Sequence, residues 1–185
     1  MEPPAITRHR RPFLAPVWLS MLAAVIAIVV AITVYRSATT TIVVVVRPVE
    51  KEIGTINDPP LSDEGEQRAQ RLARMFGETG SVGRLDAVYV SESRRGQQTA
   101  APLAERLGRN PVLVSASDVK AAVSRVLREH EGGTVLLVGT PENVPEVVRA
   151  LSGRNLPASS TDDFDTMFIV SIPTFGDSSV LRLKY

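Results

Sequence analysis

Twenty consecutive residues, Pro16 to Tyr35 (PVWLSMLAAVIAIVVAITVY), carry no charge. No other feature constrains the fold as much. In a helix, about twenty apolar residues span roughly 30 Å, the thickness of the hydrocarbon core of a bilayer. Trp18 and Tyr35 lie near the ends of the run, where amphipathic rings favour the interface. A cleaved signal peptide has a shorter apolar run and a small-residue cleavage site. Here the run ends in Tyr35-Arg36-Ser37-Ala38, a poor cleavage context. A buried core helix of this length would carry more polar positions than Ser20, Thr33 and Tyr35. The chain therefore divides into a short basic tail (1–15), a transmembrane helix (16–36) and a domain (37–185).

Charge is unevenly spread. The whole chain is at +1. Residues 1–36 hold Arg8, Arg10, Arg11 and Arg36 against Glu2, a net +3, so the domain is weakly acidic at −2. Nucleic-acid binding needs a dense cationic face and is not expected. Scarce aromatics argue against base stacking as well. The arginines before the span place the tail in the cytoplasm by the positive-inside rule. The expected location is the cell (inner) membrane, single-pass, with the domain on the periplasmic or outer side. There is no cysteine, so disulfides, thiolate metal sites and thiol catalysis are excluded. No metal-ligand set and no cofactor site is legible. Asp162, Asp163 and Asp165 form an acidic cluster without partners of metal-binding type.

From Thr39 onward, strand-like and helix-like stretches alternate. TTTIVVVV (39–46) ends in a continuous apolar run, the mark of a strand covered on both faces. Ser62 caps a helix whose apolar stripe is Ala69, Leu72, Ala73 and Phe76. LDAVYVS is a strand, and RRGQQTAAPLAERLG a helix in which Pro102 marks a kink or a late start. PVLVS is a strand. Val119, Ala122, Val123, Val126 and Leu127 form another helical stripe, closed by His130 and two glycines. TVLLVG is a buried strand, ENVPEVVRALSG a helix, and two final strands flank Phe175-Gly176-Asp177. This order predicts an α/β three-layer sandwich with a mainly parallel central sheet.

Ligands in such folds sit beyond the carboxyl ends of the strands. Three ends stand out: VVVVRPVE, VYVSESRRGQQTA and LLVGTPENVP. Together with DPPLSDEGEQRAQRLA and DDFDTMFIVSIP, their order and spacing resemble the histidine phosphatase superfamily, the phosphoglycerate-mutase-like fold. The resemblance covers about Thr40 to Tyr185. It implies an arginine and a nucleophilic histidine after the first strand, a second phosphate-binding arginine, and a second histidine after the late strand. Position by position these match Arg47, Pro48, Arg95 and Thr140. Neither histidine is present at its matching position. The chain has two, His9 in the basic tail and His130 at a helix end.

Proline has neither a nucleophile nor a titratable group, so covalent catalysis at Pro48 is impossible. It also lacks the backbone N–H that an anion cradle would use. Thr140-Pro141-Glu142 reads as a helix start, with Thr140 as cap and Glu142 in the first turn. Two readings of the nearby carboxylates stay open: Glu50 or Glu142 pairs with Arg47 or Arg95 and fills the old phosphate pocket from within, or these are ordinary solvated charges around a vestigial cleft. The resulting expectation is a catalytically dead, membrane-anchored pseudophosphatase that serves as a binding or structural module. Its partners are the bilayer, through 16–36, and another membrane protein. Two alternatives stay open: an anion or phosphate-ester sensor using Arg47 and Arg95, and a weak phosphatase with a rebuilt mechanism. Ala23, Ala27 and Ala31 recur every fourth residue, a stripe that suits either helix packing or lipid.

Overall fold

The computed structural model describes residues 15–37, 39–48, 58–77, 84–155 and 165–185. They form two units, 1–38 and 39–185. The first contains one helix, α1 (Ala15–Ser37). Its stretch Val17–Val34 is long and apolar enough to cross a membrane, and none of it is buried. That exposure excludes a core helix.

The second unit runs β1 (Thr40–Val46), α2 (Asp63–Gly77), β2 (Ala87–Ser91), α3 (Arg94–Leu107), β3 (Val112–Val114), α4 (Val119–Glu129), β4 (Thr134–Val138), α5 (Val144–Ser152), β5 (Thr166–Pro173) and β6 (Ser179–Lys184). The sheet order is β3-β2-β4-β1-β5-β6. The β1–β4, β2–β4 and β2–β3 pairs are parallel, while β5 is antiparallel to both neighbours. Five strands therefore point one way and β5 alone opposes them. The sheet is mixed, with a parallel body and an antiparallel hairpin at one edge.

Alternation along the strands builds two cores. Val43, Val45, Tyr89 and Leu137 face α4 and α5. Val44, Val46, Val88, Val90, Leu136 and Val138 face α2 and α3. This is why VVVV is apolar at every position: each face meets its own helical layer. Pro102 neither starts nor breaks α3, which runs unbroken from Arg94 and has the proline inside it. The helix closes on Gly108 at φ 61°, a left-handed position suited to glycine. PVLVS shrinks to the three residues of β3, an edge strand with Leu113 exposed.

Candidate functional site: the carboxyl ends of β1, β2 and β4

The three strand ends are level. Val46 pairs with Val138, and Val138 with Val90. The Gly139 N–H donates to the Val46 carbonyl at 3.0 Å, which carries the β1–β4 ladder one residue past β4. Pro48 and Thr140 each stand two residues beyond a registered pair. The fold thus brings both positions to one end of the sheet, on neighbouring strands.

Arg47 is 5% exposed. Its Nη2 donates to the Pro141 carbonyl at 3.3 Å, which ties the exit of β1 to the exit of β4. A buried guanidinium needs such acceptors. Pro48 is buried beside it and contributes neither proton nor lone pair to chemistry.

Beyond β4, Thr140 works locally. Its N–H donates to Asn143 Oδ1 at 2.7 Å, and its hydroxyl accepts from the Asn143 N–H at 3.3 Å. Asn143 Nδ2 reaches across to the Ala116 carbonyl at 3.0 Å. This corrects the expected helix start. Residues 141–143 form a turn, α5 begins at Val144, and Pro145 and Glu146 occupy the first-turn positions assigned to Pro141 and Glu142. The PENVPE sequence offers both proline–glutamate registers, Pro141-Glu142 and Pro145-Glu146, and the Thr140–Asn143 pair selects the later one. Gly139 is required by this turn, because a Cβ there would lie 2.5 Å from Asn143 Oδ1.

The pairing expected of Glu142 is also corrected. Glu142 is exposed and, among the described residues, forms no ion pair with Arg47 or Arg95. It borders a shallow hollow with Glu146, Arg149 and Asn155 instead. Glu50, like Asp162 and Asp163, lies outside the described residues.

An exposed carboxylate, Asp58, does stand near this end of the sheet. Both its oxygens accept from the Arg94 N–H, at 3.0 and 2.9 Å. The start of α3 is thus held twice, since the Ser93 hydroxyl accepts from the Gly96 N–H at 3.1 Å. Negative charge is favoured at a helix N-terminus. Asp58 sits at φ 60°, a region that aspartate tolerates better than most residues. Its only sequence signal is an aspartate before two prolines, and nothing local points to a helix start 36 residues away.

Arg95 lies in that first turn. Its Nε is buried and, among the described residues, has no hydrogen-bond partner. Gly96 allows α3 to approach β2 closely, since a Cβ there would lie 2.5 Å from Ser91 Oγ. Ser91 and Ser93 hydroxyls are 3.0 Å apart. Ser93 is the helix cap.

His130 is far from this arrangement. It caps the carboxyl end of α4, ahead of β4, at the opposite end of the sheet. Its ring meets Tyr89 edge-on, with centroids 5.7 Å apart. His9 lies outside the described residues. Among the described residues, no three of His, Asp and Glu gather as a metal site.

Residues 44–117 match the family described as histidine phosphatase superfamily (branch 1). Over this span the chain is similar to the histidine phosphatase superfamily. The matched span contains Arg47, Pro48 and Arg95, and Thr140 lies beyond it. Solved structures agree on the fold. One is the protein histidine phosphatase SixA complexed with tungstate: TM-score 0.64, 19% identity, covering 77% of this chain and 96% of that one. The alpha-ribazole phosphatase from Shigella flexneri gives 0.58 and 16%, covering 78% and 96%. A mycobacterial glucosyl-3-phosphoglycerate phosphatase gives 0.57 and 14%, covering 71% and 90%. No curated protein matches the sequence.

Proposed function

We propose that this chain is a membrane-anchored, catalytically inactive histidine-phosphatase-like protein whose domain acts as a binding or structural module, an accessory subunit of a membrane protein complex. One observation carries the reading: neither of the chain's two histidines, His9 and His130, stands where the superfamily's chemistry needs an imidazole. Pro48 and Thr140 occupy those positions, and Thr140 is engaged with Asn143. Threonine is a weak nucleophile without an adjacent base. The intact two-layer core supports a role that keeps the fold without turnover. Similar solved structures are named as phosphatases, so hydrolysis is the outcome an assay must exclude.

The reading requires α1 to anchor the domain, with the tail in the cytoplasm and the domain in the periplasm. Purification in mild detergent, with identification of stoichiometric companions, tests the subunit role. Recovery as a lone monomer under every condition contradicts it.

A second reading is favoured by the buried Arg95 Nε, which has no hydrogen-bond partner among the described residues. That N–H would donate to an anion held with Arg47, since guanidinium groups suit phosphate oxygens. Calorimetric titration with inorganic phosphate and simple phosphomonoesters tests it. Heat that vanishes in Arg95→Ala supports a sensor, and no heat in the parent chain dismisses it.

A further inference from the structure

The two edges of the sheet differ. At one, β3 has three residues, a length at which native edges are blunted. At the other, β6 has six residues and, among the described residues, no strand on its outer side. Its outward backbone groups can be assigned. The Tyr185 N–H donates to the Asp165 carbonyl at 2.9 Å, one step beyond the Thr166–Lys184 pair. By alternation Leu183, Leu181 and Ser179 also turn their amides toward β5. The N–H and C=O groups of Val180, Arg182 and Lys184 therefore point away from it. Side chains alternate too. Val180 packs on the core beneath α4 and α5, which puts Arg182 and Lys184 on that face. Leu181 and Leu183 pair with Ile169 and Met167 on the opposite face, and are 55% and 40% exposed. An open backbone edge flanked by exposed leucines is a template for another strand.

We infer that β6 pairs antiparallel with β6 of a second copy of this chain, about a two-fold axis at Leu181, so that two sheets become one. Charge selects the occupant. Asp177 stands just before the strand, and Arg182 and Lys184 lie toward its end. Antiparallel pairing of two copies lays the acidic end of each along the basic end of the other. Lys184 is already held by Asp165 at 3.3 Å, which tempers the repulsion that an edge lysine offers. The same matching selects the register. A two-fold axis normal to the sheet keeps each side chain on its own face and passes beside one residue of β6. Centred on Arg182, it opposes two guanidinium groups. Centred on Leu183, it opposes Arg182 to Lys184, and centred on Val180 it opposes Leu183 to Asp177. Centred on Leu181, it opposes Leu181 to its own mate and Ser179 to Leu183. The outward amides of Val180 and Arg182 then bond one another.

This pairing needs neither the cleft nor α1, so it stands or falls apart from the proposed function. The chain has no cysteine, which makes an introduced one unique. Position 181 and its mate would form a non-hydrogen-bonded pair with Cα atoms about 4.5 Å apart, within disulfide range. The full chain in mild detergent, carrying Leu181→Cys, is treated with a mild oxidant and run on a non-reducing gel. Arg182→Cys and Leu113→Cys are run beside it. Position 182 is two residues out of register with its mate, about 8 Å away and too far to bridge. Leu113 lies on the other edge. The expected result is a covalent dimer at 181 and at neither control. Val180→Pro deletes one outward N–H without touching the β5 ladder, as edge strands tolerate. Added to Leu181→Cys, it is expected to abolish the cross-link with an unchanged circular dichroism spectrum. A monomer at 181, equal cross-linking at all three positions, or a 181 cross-link that survives Val180→Pro overturns the inference. Should the proline variant unfold, the comparison of the three positions decides alone.

Discussion

The buried guanidinium of Arg47 donates to the carbonyl of Pro141, 94 positions away in sequence. One bond thus links the two strand exits that carry Pro48 and Thr140. In this chain the arginine has a structural task at the cleft. Arg47→Ala removes a donor to a part-buried carbonyl and leaves a hole at the end of the sheet. The expected loss is about 1–3 kcal/mol, the cost of unmaking a buried hydrogen bond, read by denaturant unfolding. An unchanged midpoint would show that Arg47 contributes nothing to stability.

Asn143 bridges more directly still. Its Oδ1 accepts from Thr140 and its Nδ2 donates to Ala116. Asn143→Asp keeps the first bond and loses the second, while Asn143→Ala loses both. Stability is expected to fall in that order, by about 1 kcal/mol for each bond removed. Equal effects of the two substitutions would show that the Ala116 bond alone matters.

Asp58 holds the start of α3 through the Arg94 N–H. Asp58→Ala removes the carboxylate while keeping the left-handed backbone at φ 60°. The expected cost is about 1–2 kcal/mol, from a lost cap and a strained alanine. Asp58→Gly relieves the strain and is expected to cost less. The two thermal midpoints, measured side by side, decide the point, and a glycine variant less stable than the alanine one contradicts it.

The legible and illegible parts of this molecule differ by distance along the chain. The stripe Ala69, Leu72, Ala73 and Phe76 is buried as its spacing indicates, because helical periodicity is local. VVVV is a two-faced central strand because each valine meets one helical layer or the other. The level ends at Arg47 and Thr140 follow from the parallel order, and the family likeness is legible in the same segments. What escaped the sequence is pairing over long separations. No local signal ties Arg47 to Pro141, Asp58 to Arg94, or Glu129 to Tyr89. The start of α5 is ambiguous in the sequence, because two proline–glutamate pairs, Pro141-Glu142 and Pro145-Glu146, fit equally well. Only the hydrogen bonds of Asn143 separate them.

At the other end of the sheet, Tyr89 donates its hydroxyl to Glu129 at 2.8 Å, and Arg125 holds the other carboxylate oxygen at 2.9 Å. Burial first, then the Glu129 hydrogen bond, pushes the Tyr89 phenol up to about 12. The hydrogen bond from Tyr89, then that from Arg125, holds Glu129 below the usual carboxylate value. The signs differ. Tyr89 contributes stability that is fully present below its ordinary value near 10 and is lost as pH rises through about 12. Glu129 contributes stability that is present above its ordinary value of 4.5 and is lost as pH falls through its lowered value. Tyr89→Phe is expected to shrink both the alkaline and the acid loss. Melting curves across pH check this, and an alkaline fall identical to the parent's would contradict it.

The central claim is that this cleft cannot bond to phosphorus. The direct measurement incubates the full chain, in mild detergent, with a phosphohistidine peptide and a generic phosphomonoester. Released phosphate is counted, and any phosphorylated side chain is sought by mass spectrometry. Pro48→His combined with Thr140→His is run alongside. The account expects nothing above a heat-killed blank in the parent chain and a phosphorylated imidazole in the double variant. Phosphate released over repeated cycles by the unaltered chain would contradict it.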